Sequence, residues 1–407
     1  MSTILKSILN NKRVTRNRLG EILRLSPSSI VKYIKILMDL GLVQETDQEL
    51  STGGRRSTFI ELNPAVGINI AVLLDVSEMK GVLINTIGEV LSEYSVPIFF
   101  GIDKDELIAA LLQLLDGLVA EASKFKKKIF GIGIGLGGYI DPKRGISREY
   151  LFAKNWYDVP LKEQIEAKYN IPCFLVNDAN ACALGEKYYG RGLGVEHFLC
   201  VWLGEGIGMG IIVNGEIYSG NSYYAGEFGH THATNNGQLC FCGHTGCLET
   251  ISSKQYILST IREGLHQGVN SEVLKYCDND FSKLQIEHLV TAANNGDRLA
   301  RNVFEQTGRH LGEKLADIAN IFNPEMIVLR GPVIDRTNCD ELESSADSKI
   351  IEDHILGRTI GHPRSRHQQC YSARLLHSVT AGKDSYDIPA AGRGFFQTPA
   401  TGSNAHF

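Results

Sequence analysis

The apolar positions of this chain repeat with different periods in different stretches, and each period predicts an element. Near the start, Ile4, Leu5, Ile8 and Leu9 recur at helical spacing, and so do Leu19, Ile22 and Leu23. Thr15 precedes the second run, where its hydroxyl suits an N-cap. After the break at Leu25-Ser26-Pro27 comes a third run, Ile30, Val31, Ile34, Leu37 and Met38. Ser26 is its cap, and Pro27 takes the first helical position, where a missing N–H does no harm. Gly41-Leu42-Val43 ends this helix. Residues 43–62 read as a β-hairpin whose tip, Ser51-Thr52-Gly53-Gly54-Arg55-Arg56, has two glycines for the turn. Asn63-Pro64 closes the unit at 1–63, because proline disfavours helix in the residue before it and donates no N–H to a ladder.

Beyond residue 64 strands and helices follow one another in an α/β pattern. Strands are predicted at 67–74, 81–85 and 90–96, with the turn Ile87-Gly88-Glu89, then a helix at 104–124 and a buried strand at 129–136. A strand at 172–176 runs into Asn177-Asp178-Ala179-Asn180, with a helix at 181–188. Strands at 198–203 and 210–213 precede the hairpin turn Asn214-Gly215. Helices over about 253–267, 285–295 and 297–322 and a strand at 326–329 complete the pattern. The divisions are 1–63, 64–200, 201–335 and 336–407. The last has little periodicity and much His, Arg, Ser, Gly and Pro, which reads as loop or disorder.

Composition narrows the class. A chain of 407 residues exceeds one ordinary core, and its 43% hydrophobic and 21% charged residues are those of a soluble globular protein. There is no apolar run near the roughly 20 residues that span a bilayer, and the first residues lack a signal-peptide core. Membrane insertion is therefore not expected, and a cytoplasmic location is. Nine cysteines, most of them scattered, fit a reducing compartment. The net charge of −5 is uneven: residues 1–60 hold ten Lys/Arg against five acids, a basic head on an acidic body. On the third helix Ser28, Ser29, Lys32, Tyr33 and Lys35 supply the small, polar and basic groups that a major-groove helix needs, and Arg55 and Arg56 at the hairpin tip suit phosphate or the minor groove. Operator DNA is the expected partner of this winged helix-turn-helix; the alternative is a helical interaction domain with a solvated basic face.

The densest chemistry lies in Gly226–Glu249. His230, Cys240, Cys242 and Cys247 form a Cys3His set, which would close a tetrahedral shell around a structural zinc and leave no open position for water. Glu227 and Glu249 flank these residues, and paired carboxylates suit the hydroxyls of a polyol. Unligated buried cysteines or, in an oxidising compartment, a disulfide are the competing readings. Asp178, at the end of a strand, is placed as a general base would be, or as a helix cap.

Several segments in fixed order carry a family resemblance: STGGRR (51–56), GIGIGLGGYID (131–141), NW (155–156), NDANACALGE (177–186), GEGIGMGIIVNGEIYSG (204–220), and GEFGH followed by CFCGHTGCLE. Across about 4–335 the chain resembles the ROK family of repressors, open reading frames and kinases, in its branch of sugar-responsive repressors. The resemblance implies a two-lobed fold of the actin and sugar-kinase (ASKHA) type behind the winged helix. It implies a sugar or sugar-phosphate inducer held by Gly138, Asn155, Asn177, Asp178, Glu227, His230 and Glu249, and zinc on His230, Cys240, Cys242 and Cys247. Asp178 matches the catalytic base of the kinases. The kinases' first phosphate turn reads Asp-x-Gly-Gly-Thr, whereas here Asp75 is followed by Val76-Ser77-Glu78-Met79, without glycine and with an added acid. A regulator is therefore expected in preference to an ATP-dependent sugar kinase. Two recognition helices must meet two half-sites, so a homodimer is expected; in some family repressors a protein partner takes the place of the sugar.

Overall fold

The computed structural model describes residues 1–48 and 58–337. Arg55, Arg56 and the segment 338–407 therefore lie outside the described residues.

The head comprises α1 (Ser2–Asn11), β1 (Arg13–Thr15), α2 (Arg16–Leu23), α3 (Pro27–Asp39), β2 (Val43–Gln48) and β3 (Thr58–Leu62), its strands forming an antiparallel sheet in the order β1-β3-β2. Both predicted caps are made: the Thr15 hydroxyl accepts from the Arg18 N–H and the Ser26 hydroxyl from the Ser29 N–H. Ile4, Ile8, Leu19, Ile30, Ile34, Leu37 and Ile60 form a core of their own. Val31 is not part of it. At 54% exposed it shares the outer face of α3 with Ser28, Lys32 and Lys35.

The first lobe begins with β4 (Gly67–Leu74), β5 (Glu78–Asn85), β6 (Val90–Pro97) and β7 (Ile102–Asp103), then α4 (Lys104–Lys124) and β8 (Lys128–Leu136). It continues through β9 (Tyr139–Asp141), β10 (Ile146–Glu149), β11 (Ala153–Lys154), β12 (Tyr157–Val159), α5 (Leu161–Tyr169) and β13 (Cys173–Asn177). The five-stranded sheet runs β13-β8-β4-β5-β6, parallel over its first three strands. Leu107, Leu111, Leu114, Leu115 and Leu118 of α4 are buried against it; each contributes on the order of 1.5–3 kcal/mol. Helix α5 went unpredicted because only Leu161 and Ile165 are buried along it, too few to mark a period.

Next come α6 (Asp178–Tyr189), β14 (Phe198–Leu203), β15 (Ile207–Val213) and β16 (Glu216–Ile217), then α7 (Glu249–Ser252), α8 (Lys254–His266), α9 (Val273–Tyr276), α10 (Ile286–Asn294), α11 (Arg298–Phe322), β17 (Met326–Arg330) and α12 (Pro332–Thr337). The second sheet runs β16-β15-β14-β17. Strand β14, FLCVWL, is apolar throughout because both faces are covered. Leu199, Val201 and Leu203 pack with α8, α10 and α11, while Phe198 and Cys200 face α6. The division drawn at 200/201 thus falls inside β14, and α6 packs on the second sheet. Strand β15 starts at Ile207, three residues earlier than predicted. Its glycines Gly208 and Gly210 imitate a turn, but they sit under Ala179 and Ala183 of α6, where a Cβ would collide.

Candidate functional site

Carboxylates from both lobes meet where β4, β13 and the segment after β16 end. Asn177 is the true N-cap of α6: its side-chain oxygen accepts from the Ala179 and Asn180 N–H groups at 3.0 and 3.3 Å, and its amide reaches the Gly138 carbonyl at 3.4 Å. This frees Asp178 from the capping role. Asp178 occupies the first helical position, where its Oδ1 accepts from Ala179 N–H at 2.8 Å and its Oδ2 lies beside Gly137. Burial pushes its carboxyl up, the Ala179 N–H opposes this, and the charge of Asp75 adds to the rise.

Glu227 and His230 are set by the way their segment lies on β15. Gly226 has φ +100°, and a Cβ there would strike the Met209 carbonyl at 1.9 Å, so only glycine lets the chain pass. Phe228 then anchors the short 3-10 turn 228–230 in the core. Glu249 opens α7. Its Oε2 accepts from the Ile207 N–H at 3.3 Å and fills the room that Gly206 leaves. The glycine-rich stretch Gly204–Gly210, which alone also reads as a tight β-turn and is weak evidence for nucleotide, has another use at Gly206: it admits a carboxylate. Burial raises Glu227; His230 lowers it, and Asp178 and Glu249 push it further up, so three acids share one field.

The sulfur and imidazole donors lie beside these acids. One ligand atom from each of His230, Cys240, Cys242 and Cys247 lies within 4.8 Å of every other. Cys240 Sγ is 3.4 Å from His230 Nδ1, and Cys242 Sγ is 3.6 Å from Cys247 Sγ. Those separations match the edge of about 3.5–3.8 Å that a tetrahedron with ~2.3 Å Zn–S and ~2.0 Å Zn–N bonds requires. The donor set fits a metal held entirely by protein. Backbone bonds from Cys240 N–H to the His244 carbonyl and from Gly243 N–H to the Cys240 carbonyl fold the turn that brings the thiols together. His230 has two roles because its nitrogens face different ways: Nδ1 lies on the thiol side, and Nε2 is 3.8 Å from Glu227 Oε2. His244 Nδ1, 3.6 Å from Cys242 Sγ, is a neighbouring donor that the sequence reading passed over.

Asn155, the remaining member of the expected set, sits after β11 with a left-handed backbone, φ 59°, and donates to Asp103 Oδ2 at 2.9 Å. Asp103, the N-cap of α4, went unnoticed in the sequence because its partner lies 52 residues away.

At the other end of the cleft, the turn after β4 closes on itself. Asp75 N–H donates to the Glu78 carbonyl at 3.0 Å, leaving Val76 and Ser77 as a two-residue tip without glycine. Glu78 itself requires a correction. Its carboxylate accepts from Ser95 at 2.7 Å and pairs with Lys80 at 3.0 Å, so its charge is met within the sheet. Asp75 is the acid of this end; burial raises it, its own backbone neighbour Val76 opposes, and Glu205 raises it further. Glu205 pairs with Lys254 at 2.7 Å.

In the head, Ser28, Lys32 and Lys35 are exposed on α3. Ser28 and Ser29 are both engaged with Ser26, their Oγ atoms 3.0 and 2.9 Å from the cap hydroxyl, and Tyr33 packs partly against the core. These three are therefore less available than an amphipathic projection implies. Val31, which the spacing places in the apolar run of this helix, is exposed.

Fold and site together define a two-lobed α/β protein of the sugar-kinase type. The model of the ROK family matches residues 70–355, most of the chain, and the chain belongs to that family. The match runs past residue 335, where the motif-based resemblance ended. Relatives include the xylose repressor of Caldicellulosiruptor bescii, 34% identical over 80% of this chain and 81% of the relative. The DNA-binding transcriptional dual regulator NagC of Escherichia coli is 31% identical over 83% of this chain and 82% of the relative. Among solved structures, a ROK family transcriptional regulator described as a homolog of the E. coli MLC protein superposes with a TM-score of 0.70 at 26% identity, covering 93% of this chain and 95% of that one. A ROK family glucokinase from Streptomyces griseus, in complex with glucose and AMPPNP, superposes at 0.60 and 26% identity, covering 76% of this chain and 99% of that one.

Proposed function

We propose that this protein is a transcriptional repressor of carbohydrate uptake or catabolism genes. Its α1–β3 head acts as a winged helix-turn-helix, and a sugar in the cleft between the lobes controls its hold on operator DNA. The observation that carries the reading is the pairing, on one chain, of an exposed basic α3 with a cleft where Asp178, Glu227 and Glu249 stand beside a Cys3His donor set. The repressors among its relatives support it. Ionised carboxylates accept short bonds from sugar hydroxyls, and their number favours an uncharged sugar over a phosphorylated one, since a phosphate dianion would meet like charge.

In this reading the metal is a structural zinc on His230, Cys240, Cys242 and Cys247. It braces Glu227 and Glu249 at a fixed separation and takes no part in chemistry. The chain is not an enzyme, and Asp178 is a hydroxyl acceptor.

The head is also tied to the body. Helix α1 packs beside α6, whose first turn is the Asp178 site, Lys6 pairs with Glu216 of β16 at 2.8 Å, and Thr86 donates to the Asn63 carbonyl at 2.7 Å. A sugar shifts the equilibrium between two lobe arrangements only by its differential affinity for them, and these contacts carry that difference to α3. A homodimer presents two such helices to two half-sites.

The test is operator binding at several salt concentrations by Lys32→Ala and Lys35→Ala variants. Each should weaken binding and reduce the salt slope by about one, with sugar-induced thermal stabilisation unchanged. Wild-type slopes in both variants, or no retardation of the protein's own upstream DNA at low salt, would remove the head from DNA recognition.

A further inference from the structure

One edge of the cleft is closed by aromatic groups that neither the donor set nor the carboxylates explain. Tyr139 of β9, next to Gly138 in the first lobe, has its ring centroid 4.4 Å from that of Tyr224, which lies three residues before Glu227 in the second lobe; the rings are tilted by 56°. Beside them Lys143, in the β9–β10 turn, stands 5.8 Å over the ring of Tyr223. Two successive tyrosines of the segment after β16 thus reach across to one hairpin of the opposite lobe.

The backbone is held to this purpose. Tyr223 has φ 65°, a left-handed conformation that is uncommon for a bulky side chain and persists only where its surroundings enforce it. The loop is pinned on either side by Tyr218 N–H to the Ile211 carbonyl at 2.8 Å and Ala225 N–H to the Ser219 carbonyl at 3.2 Å. Burial and then the charge of Glu227 raise the Tyr139 hydroxyl, which stays a neutral donor within the field of the cleft's carboxylate. Tyr224 remains 45% exposed, so its ring has free surface.

Carboxylates recognise the hydroxyls of a sugar but not the apolar C–H face of its ring, which an aromatic surface covers. We propose that Tyr139 and Tyr224, one from each lobe, form an aromatic clasp that shuts over the sugar and selects the closed pyranose ring over open-chain polyols. This rests on the sugar-sensor reading. It assigns specificity to two residues outside the hydrogen-bonding set and makes lobe closure the step in which the ring is recognised.

The experiment is calorimetric titration of the full chain with D-xylose, D-glucose and N-acetylglucosamine, and with the open-chain polyol xylitol. Wild type should bind at least one of the cyclic sugars and prefer it to the polyol. Tyr224→Ala and Tyr139→Ala should each weaken that sugar by up to about tenfold, the scale of one aromatic contact, and narrow the preference over the polyol. Tyr224→Phe should keep both, which a hydroxyl-based role would not predict, and the narrowed preference over the polyol in the alanine variants is a change that a merely structural role would not make. Zinc content and operator binding without sugar should match wild type in all three variants. Wild-type binding of a sugar with the ring preference intact in both alanine variants would overturn the clasp and leave the sensor reading standing. Failure of the wild-type protein to bind any of the sugars would overturn both.

Discussion

The two ends of the cleft differ in the groups they present. At one end, Glu227, Glu249 and Asp178 are oriented by a capped helix, a glycine that admits a carboxylate and a ring of thiols. At the other, the turn after β4 is a two-residue tip without glycine, and Lys254, whose charge reaches Asp75, is engaged by Glu205. Phosphoryl transfer is almost entirely positioning of phosphates, and the second end has no glycine at its tip to let phosphates approach the backbone. Polyol recognition needs fixed acceptors, and the first end has them. In the proposed function the first end holds the sugar, and the second is not asked to hold phosphate.

The largest effect should come from dismantling the first end. Cys242→Ser removes one of four ligands; bound zinc should fall from about one per chain to a small fraction, sugar response should vanish, and the melting temperature should drop by on the order of 10 °C. Metal analysis and thermal melts check this. A variant that loses metal but keeps its sugar response would separate the donor set from the acids it is taken to brace.

A smaller effect isolates one acid. Asp178→Asn keeps an oxygen for the Ala179 N–H but loses a charged acceptor, so sugar affinity should fall about tenfold or more, the equivalent of 1.5–3 kcal/mol. Stability should move the other way. The folded-state pKa of Asp178 is raised above the ordinary 3.8 by burial, so the wild-type carboxyl contributes most when protonated and loses that contribution as pH rises through the raised value. The melting temperature of the Asn variant relative to wild type should thus increase from below pH 4 towards neutrality. An unchanged difference across that range would mean that Asp178 is well solvated.

The second end should respond least. Ser77→Gly, with or without Glu78→Gly, should leave sugar-induced stabilisation unchanged and yield no ATP-dependent turnover in a coupled assay, because one or two turn residues do not rebuild a phosphate site. Turnover that Asp178→Asn abolishes would show that the difference between the two ends is shallower than their geometry implies.

What was legible in the sequence followed how locally it is encoded. The caps Thr15 and Ser26 and the leucine stripe of α4 are short-range, and the structure has them as predicted. The Cys3His set was visible because its four members fall within eighteen positions of one another. What depended on distant partners was not. The stretch Gly204–Gly210 reads as a turn, but Glu249 explains Gly206, and α6 explains Gly208 and Gly210. Lys80 and Ser95 meet the Glu78 charge only through the pairing of the strands, the exposure of Val31 depends on how α3 packs, and the Tyr139–Tyr224 contact joins two lobes that no spacing rule connects.

A sugar in this cleft should change the hold of the head on DNA. Fluorescence anisotropy of labelled DNA from the protein's own upstream region, bound by the zinc-loaded chain and titrated with whichever of D-xylose, D-glucose and N-acetylglucosamine raises its melting temperature, tests it directly. That sugar should release the DNA, and the Asp178→Asn variant should need about tenfold more of it or beyond for the same release. DNA affinity that stays constant while the sugar saturates the cleft would contradict it.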